Sequence, residues 1–236
     1  MTKFIGIICQ NSDLARQLGA YLQATAGRNF NDKYDFTKAY VAVYHGETAE
    51  NPSVYMASFS HPMKMIMAML TGVPFEILDR PENKRKYVID INTFEYKIGE
   101  PTVTANDIYF ARNHYKNISG WITANDFVNY FADTVCKQFL GNDIWAKCEE
   151  ITLNSAPPSD GIRVYSDVRT ISEYNLIKKH DGLVIRIDTT AEKSKIFDEA
   201  LNSVPVDVIL NMNSTEDFNT MKILEIIYNI TNQLNK

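Results

Sequence analysis

The sequence predicts an α/β fold in which a parallel sheet carries helices on both faces, and three observations lead to that expectation. From residue 162 onward, short apolar runs alternate with amphipathic stretches. The chain also opens on an apolar run, residues 3–9, followed at once by a helical pattern. Its 236 residues are 45% hydrophobic and 22% charged, close to the globular average. A chain of that size buries a full core without disulfides or metals. Short apolar strands alternating with helices imply right-handed crossovers, and crossovers cover both faces of the sheet.

The elements follow in order. Residues 3–9 read as a buried strand. Ser12 is the expected N-cap of the first helix, whose Leu14, Leu18, Tyr21 and Leu22 share one face, with Gly27 beyond its end. Val54 to Phe59 is a second strand. His61 to Thr71 reads as a Met-rich helix closed by Gly72, with Met63, Met67 and Leu70 at core spacing and the methionines filling core gaps. Tyr87 to Ile98 alternates weakly and predicts a hairpin turning near Asn92-Thr93. Residues 99–120 are polar and aromatic with no clear period, and read as loop. The expected organisation is a single domain, 1–236, with a lid or insertion over 75–122.

Thr123-Ala-Asn-Asp126 resembles a capping box with Asp in place of Glu, opening a helix that runs to Leu140. Trp145 falls in another short helix. The remaining strands are Ile162 to Val168, Leu183 to Ile187 and Val206 to Leu210. The remaining helices are Ser172 to Lys179 (ending near Gly182), residues 192–202, and a last one opening at the capping box Ser214-Thr-Glu-Asp217.

Composition removes several function classes. A net charge of −5 argues against a general nucleic-acid or anionic-membrane surface. The densest basic run, Lys84-Arg85-Lys86, is expected on a solvated loop. Cys9, Cys136 and Cys148 are odd in number and far apart, which suits reduced thiols in a cytoplasmic setting. The opening apolar run is too short for a signal peptide, and no stretch approaches the roughly 18 apolar residues of a membrane span. No Cys or second His stands at metal-site spacing from His61, so no metal is expected there.

In open α/β sheets, ligands sit at the carboxyl ends of the strands. The segments to search are therefore 9–14, 60–64, 167–173 and 188–195. A strand, loop and helix at an N-terminus is also where a phosphate-binding P-loop would lie. That loop needs glycines so backbone N–H groups can wrap the phosphates, a Lys for the β/γ oxygens, and a Ser or Thr for Mg²⁺. Here the stretch reads Cys9-Gln10-Asn11-Ser12-Asp13-Leu14-Ala15-Arg16-Gln17 and lacks all the glycines and the lysine.

The surrounding chain nevertheless resembles the deoxynucleoside monophosphate kinases of bacteriophages. The clearest match is Tyr165-Ser166-Asp167-Val168-Arg169 followed by Glu173, similar to the family's S-D-V-R-F-x-x-E element. A helix and Gly182-Leu-Val-Ile-Arg186-Ile follow it, as in the family. Asp207-Val-Ile-Leu-Asn211-Met-Asn-Ser-Thr215 resembles its final D-x-I-x-N-x-G-[ST] segment, and Asp143-Ile-Trp145 also has a counterpart. Ala57-Ser58-Phe59-Ser60-His61-Pro62-Met63-Lys64 looks like its F-A-D-P-L-K segment at the monophosphate side. The resemblance spans residues 4–230, with 80–120 poorly matched.

Laid without gaps, the family's P-loop pattern puts Cys9 at the first glycine, Leu14 at the second, Ala15 at the lysine and Arg16-Gln17 at the following polar pair. The degenerate loop is thus Cys9, Asp13, Leu14, Ala15 and Arg16. His61 replaces an acidic residue, and Val128 to Thr134 replaces the family's L-Q-x-x-G-T-E stretch. The resemblance implies a P-loop-kinase-like fold and three readings. In the first, the chain is a noncatalytic relative, kept for binding, assembly or regulation among phage or host proteins, in the virion or the host cytoplasm. In the second, it holds a deoxynucleoside monophosphate without phosphoryl transfer, with Ser12, Lys64, Asp167, Arg169 and Arg186 as candidate contacts. In the third, it is an active kinase in which Arg16 replaces the lysine and Mg²⁺ sits near Asp167. ATP and Mg²⁺ enter only in that third reading, and no resident cofactor is expected otherwise. A homodimer is what the family suggests.

Overall fold

The computed structural model describes residues 3–25, 54–104, 106–108, 119–155, 161–190 and 198–212. The chain forms two compact units, Met1–Phe59 with Ala146–Lys236, and Ser60–Trp145. The expected insertion at 75–122 falls inside the second of them.

The first unit is an α/β layer structure. Its strands are β1 (Lys3–Cys9), β2 (Val54–Ala57), β6 (Ile162–Val168), β7 (Leu183–Asp188) and β8 (Val208–Asn211). They form one parallel sheet in the order β2-β6-β1-β7-β8, with β1 at the centre. Period-two alternation sorts β1 onto two faces. Ile5, Ile7 and Cys9 join Leu14, Leu18, Tyr21 and Leu22 of α1 (Ser12–Thr25) in one core, together with Val164, Ile185 and Ile187. On the opposite face lies α7 (Ile171–Lys179): a Cβ added to Gly6 would stand 3.2 Å from its Ile177. Gly182 lets β7 start close beneath that helix, since a Cβ there would meet the Ile177 carbonyl oxygen at 2.9 Å. Phe4, Tyr165 and Phe59 stack on this second face, with ring centroids 6.1 and 4.5 Å apart. A parallel sheet flanked by helices is thus the observed architecture.

Several boundaries differ from the sequence reading, each for a local reason. Ser12 does not cap α1. Asn11 does, because its side-chain oxygen reaches the N–H groups of Asp13 and Leu14. The last strand starts at Val208 rather than Val206, because Asp207 bonds sideways to Val184 through both its N–H and its carboxylate. Trp145 lies in a 12-residue helix, α6 (Ile144–Ser155), not a short one. Of the helix expected at 192–202, the described part is a 3₁₀ turn, Glu199–Ser203, capped by Asp198. Gly27, residues 191–197 and the capping box at Ser214–Asp217 lie outside the described residues.

The second unit combines α2 (His61–Thr71), α3 (Phe75–Asp79), α4 (Pro81–Lys86) and an antiparallel sheet ordered β4-β3-β5. The hairpin forms as expected, from β3 (Tyr87–Asp90) to β4 (Tyr96–Ile98), with β5 (Trp121–Thr123) on the other side of β3. Helix α5 (Ala124–Tyr130) opens at Thr123, whose hydroxyl accepts the Asp126 N–H and donates to the Asp126 carboxylate. It continues as a π-helical segment, Phe131–Lys137, to Leu140, and nothing in the sequence explains that widening. Lys84-Arg85-Lys86, expected on a loop, forms the last turn of α4, where positive charge suits the helix C-terminus. Helix α2 runs over its expected bounds and ends at Gly72, whose φ of 72° is the left-handed cap geometry that glycine adopts without strain. Its core face is Met63 and Met67; Leu70, expected inside at the same helical spacing, is 69% exposed in the last turn of the helix.

Candidate functional site

The carboxyl ends of β1, β6 and β7 carry most of the residues singled out by the sequence. The turn from β1 to α1 is only Gln10 and Asn11. Of the four residues that would separate the loop glycines, Ser12 and Asp13 are already helical, so no loop remains to wrap a phosphate. The Asn11 side-chain oxygen accepts from Asp13 N–H at 3.0 Å and Leu14 N–H at 3.1 Å, and the Asn11 carbonyl accepts the Ala15 N–H at 3.2 Å. These are first-turn amides that an anion at a helix N-terminus would recruit. Leu14 and Ala15, at the glycine and lysine positions of the resemblance, are 4% and 1% exposed and pack in the α1 core. Ser12 is exposed and Arg16 half-buried on the same helix. This donor set does not fit a triphosphate.

Cys9 ends β1 in the core. Burial, with a smaller push from the Asp188 charge, raises its thiol to about 11, against the pull of the Asn11 N–H. It stays protonated at neutral pH and is a core residue rather than a nucleophile.

Asp167 sits at the end of β6, as the sequence places it, but its carboxylate works sideways. It accepts the Ser58 hydroxyl at 2.5 Å and the Phe59 N–H at 3.1 Å, fixing the chain as it leaves β2. It does not cap the next helix. That cap is Thr170, in a reciprocal capping box with Glu173. The Glu173 carboxylate accepts the N–H groups of Arg169 and Thr170 at 2.7 and 2.9 Å while being almost fully buried. Burial, then the nearby Asp167 charge, lift its carboxyl to about 7, against those N–H bonds and the Arg169 charge. Sealed under its own helix, Glu173 titrates as part of the fold and not as a proton donor to a ligand.

Behind β6, Tyr165 and Glu149 form a buried polar pair. The hydroxyl donates to Glu149 at 2.6 Å, and Arg163 donates to the same carboxylate oxygen at 2.9 Å. Burial and the Glu149 charge push the Tyr165 hydroxyl far above the usual tyrosine range, so it remains a donor.

Arg186, a further candidate, projects from β7 into an ion pair: its Nε donates to Asp188 at 3.0 Å and its Nη1 to the Asn202 carbonyl at 3.0 Å. With Cys9, Gln10, Thr189 and Asn202 it lines a cavity of about 180 Å³ between the ends of β1 and β7. This is the crevice where the sheet's connections diverge, the usual ligand position in such folds. The volume is below the roughly 300–1,000 Å³ of small-molecule sites, so the cavity suits a few waters or a small polar group rather than a nucleotide.

Lys64 belongs to the second unit. It is buried and its ammonium pairs with Asp79 at 2.9 Å. Nearby on the same helix, exposed His61 packs edge-on against Phe75. Among the candidates of the first unit, the fold therefore brings the first turn of α1, Asp167 and Arg186 to one end of the sheet, yet Asp167 and Arg186 are tied to protein groups. Asn11, Glu149, Asp188 and Asn202 were not singled out by the sequence. Only Asn11 carried a signal, as one of three cap-forming residues in a row, Asn11-Ser12-Asp13.

Among the described residues no helix is long and apolar enough to cross a membrane. In comparison with known proteins, no family model and no curated protein matches the chain.

Proposed function

We propose that this chain is a nucleoside monophosphate kinase-like scaffold that no longer transfers phosphoryl groups and acts through binding to other proteins. The observation that carries the reading is the closed first turn of α1: Asn11 takes the amides of Asp13 and Leu14, and Ala15 is buried where the kinase lysine would stand. Phosphoryl transfer rests on positioned backbone donors and positive charge, and single elements of that kind are worth factors of about 10³ or more. Losing the loop, the glycines and the lysine together removes the means of catalysis. The sheet order β2-β6-β1-β7-β8, with the first strand central and the connections diverging from it, supports a kinase-like scaffold.

The nucleotide-holding alternative draws less support, because Lys64 and Asp167 are each committed to protein partners and the cavity beside Arg186 is small. Thermal-shift and calorimetric titrations of the purified chain with ATP·Mg²⁺ and with each of the four deoxynucleoside monophosphates test the reading. A ligand at a hundredfold its Kd would stabilise the fold by about 2.7 kcal/mol, which is easily detected. The proposal expects no such shift, and co-purifying proteins instead. Deoxynucleotide-dependent release of ADP from ATP would overturn it, and binding of a monophosphate alone would establish the second reading in its place.

A further inference from the structure

The cavity between the ends of β1 and β7 is lined by residues of the first unit alone, and its polar groups are only partly used. A guanidinium carries five N–H donors. Arg186 gives one to Asp188 and one to the Asn202 carbonyl, each at 3.0 Å, and among the described residues the others meet no acceptor. Gln10 donates its amide nitrogen to the Asn202 side-chain oxygen at 3.4 Å, a long contact that leaves the Gln10 oxygen open. Asp188 meets Arg186 through Oδ1, and among the described residues its Oδ2 takes no donor. The Arg186 side chain is only 18% exposed, so its spare donors are largely withdrawn from bulk solvent. The lining thus sets donors of Arg186 beside acceptors of Gln10 and Asp188, and its two opposite charges offset each other.

We propose that this cavity binds a neutral primary carboxamide, the group that ends a glutamine or asparagine side chain. A carboxamide presents an acceptor oxygen and two N–H donors on adjacent atoms, which complements this lining. Its oxygen accepts from Arg186, and its nitrogen donates to the Gln10 oxygen or to Asp188 Oδ2. A carboxylate has no donor for those oxygens and brings a second negative charge towards Asp188. An ammonium has no acceptor for Arg186 and faces a like charge there. Ile8, Cys9 and Ile187 supply apolar lining for a short alkyl stem, and the Cys9 thiol stays protonated and adds no charge. A volume of about 180 Å³ admits such a head group and its stem but not a nucleotide. The inference stands apart from the function proposed above, since the amide is bound in the same way as a free molecule or as a side chain.

NMR titration of the full chain with propionamide tests it, read at the Arg186 Nε–H and the Gln10 side-chain amide. Saturable shifts with a Kd in the millimolar range are expected for a ligand of so few atoms. Propionate and propylammonium should bind at least about tenfold more weakly, because each leaves lining groups unpaired and meets a like charge. Gln10→Met is close to isosteric and should weaken propionamide by about fivefold, the worth of one neutral hydrogen bond, while melting where the parent does. A glycine-flanked glutamine peptide with blocked ends identifies the source of the amide. Binding at least as tight as propionamide assigns the cavity to a side chain of a partner protein, and binding of propionamide alone assigns it to a free small molecule. Shifts that never saturate overturn the proposal, as does propionate binding that equals that of propionamide. An affinity that Gln10→Met leaves unchanged overturns it too.

Discussion

The side chain of Asn11 holds the N–H of Leu14 at 3.1 Å, and with that bond helix α1 caps itself. The same oxygen takes the Asp13 N–H, so the amides at the helix start have protein partners. Asn11→Ala should cost about 1 kcal/mol, within the usual range for loss of an N-cap. Asn11→Asp should keep most of it. Urea denaturation checks this, with a lowered midpoint and an unchanged m-value expected. An alanine variant as stable as the parent would mean that Ser12 can take over the cap.

Restoring the kinase residue should harm the protein. Ala15→Lys must drive a four-carbon stem into a filled core beside Ile7, Leu18 and Cys9. Overpacking of this kind costs roughly 1–3 kcal/mol, and drawing an ammonium out of water adds to it. The expected outcome is a loss of about 2 kcal/mol or more, with no gain in ATP affinity by calorimetry. A variant of parental stability that binds ATP would show that α1 can shift to rebuild a loop.

Stability should carry a pH signature from Glu173. Its carboxyl titrates near 7 in the folded chain, against an ordinary value of 4.5. Between those values the folded state keeps a proton that the unfolded chain has released. The contribution is therefore complete below about 4.5 and is lost as pH rises to about 7, a change of roughly 3 kcal/mol. Glu173→Gln preserves the capping-box pattern and should flatten that slope. Denaturation of both proteins between pH 4.5 and 8 measures it, and parallel profiles would contradict the assignment.

The Tyr165–Glu149–Arg163 cluster should behave as a unit. Tyr165→Phe deprives a buried carboxylate of its 2.6 Å donor and should cost about 1–3 kcal/mol. Arg163→Met removes the countercharge of the same oxygen and should cost about 3 kcal/mol. Because both act through Glu149, the double variant should lose measurably less than the sum, which a double-mutant cycle reads directly. Additive losses would mean the two bonds are independent.

The sequence was most legible where periodicity and hydrogen bonding agree. The apolar run at 3–9 is a buried strand at those bounds, because a central parallel strand is covered on both sides; Ile162–Val168 also forms at its expected bounds, with Arg163, Ser166 and Asp167 only partly buried. Gly72 ended α2 where expected, since its left-handed geometry is a local property. What failed depends on distant partners. Nothing local tells Asp167 to bind Ser58, 109 residues away, rather than a helix end or a ligand. Lys64 could not be seen to meet Asp79, nor Arg186 the carbonyl of Asn202. In α2 spacing separated buried Met67 from exposed Met69, but it also placed Leu70 inside, where it is 69% exposed. At Asn11-Ser12-Asp13 any of three residues could cap, and only the backbone geometry decides.

With Asn11 on the amides of Asp13, Leu14 and Ala15, the start of α1 should be closed to phosphate. Amide chemical shifts of Asp13, Leu14 and Ala15, followed by NMR through a titration with ATP·Mg²⁺, test it at the atoms concerned. These three signals are expected to stay in place at every ATP concentration. Saturable movement of those amides, matched by a calorimetric Kd, would contradict it and show that an anion displaces Asn11 from the helix end.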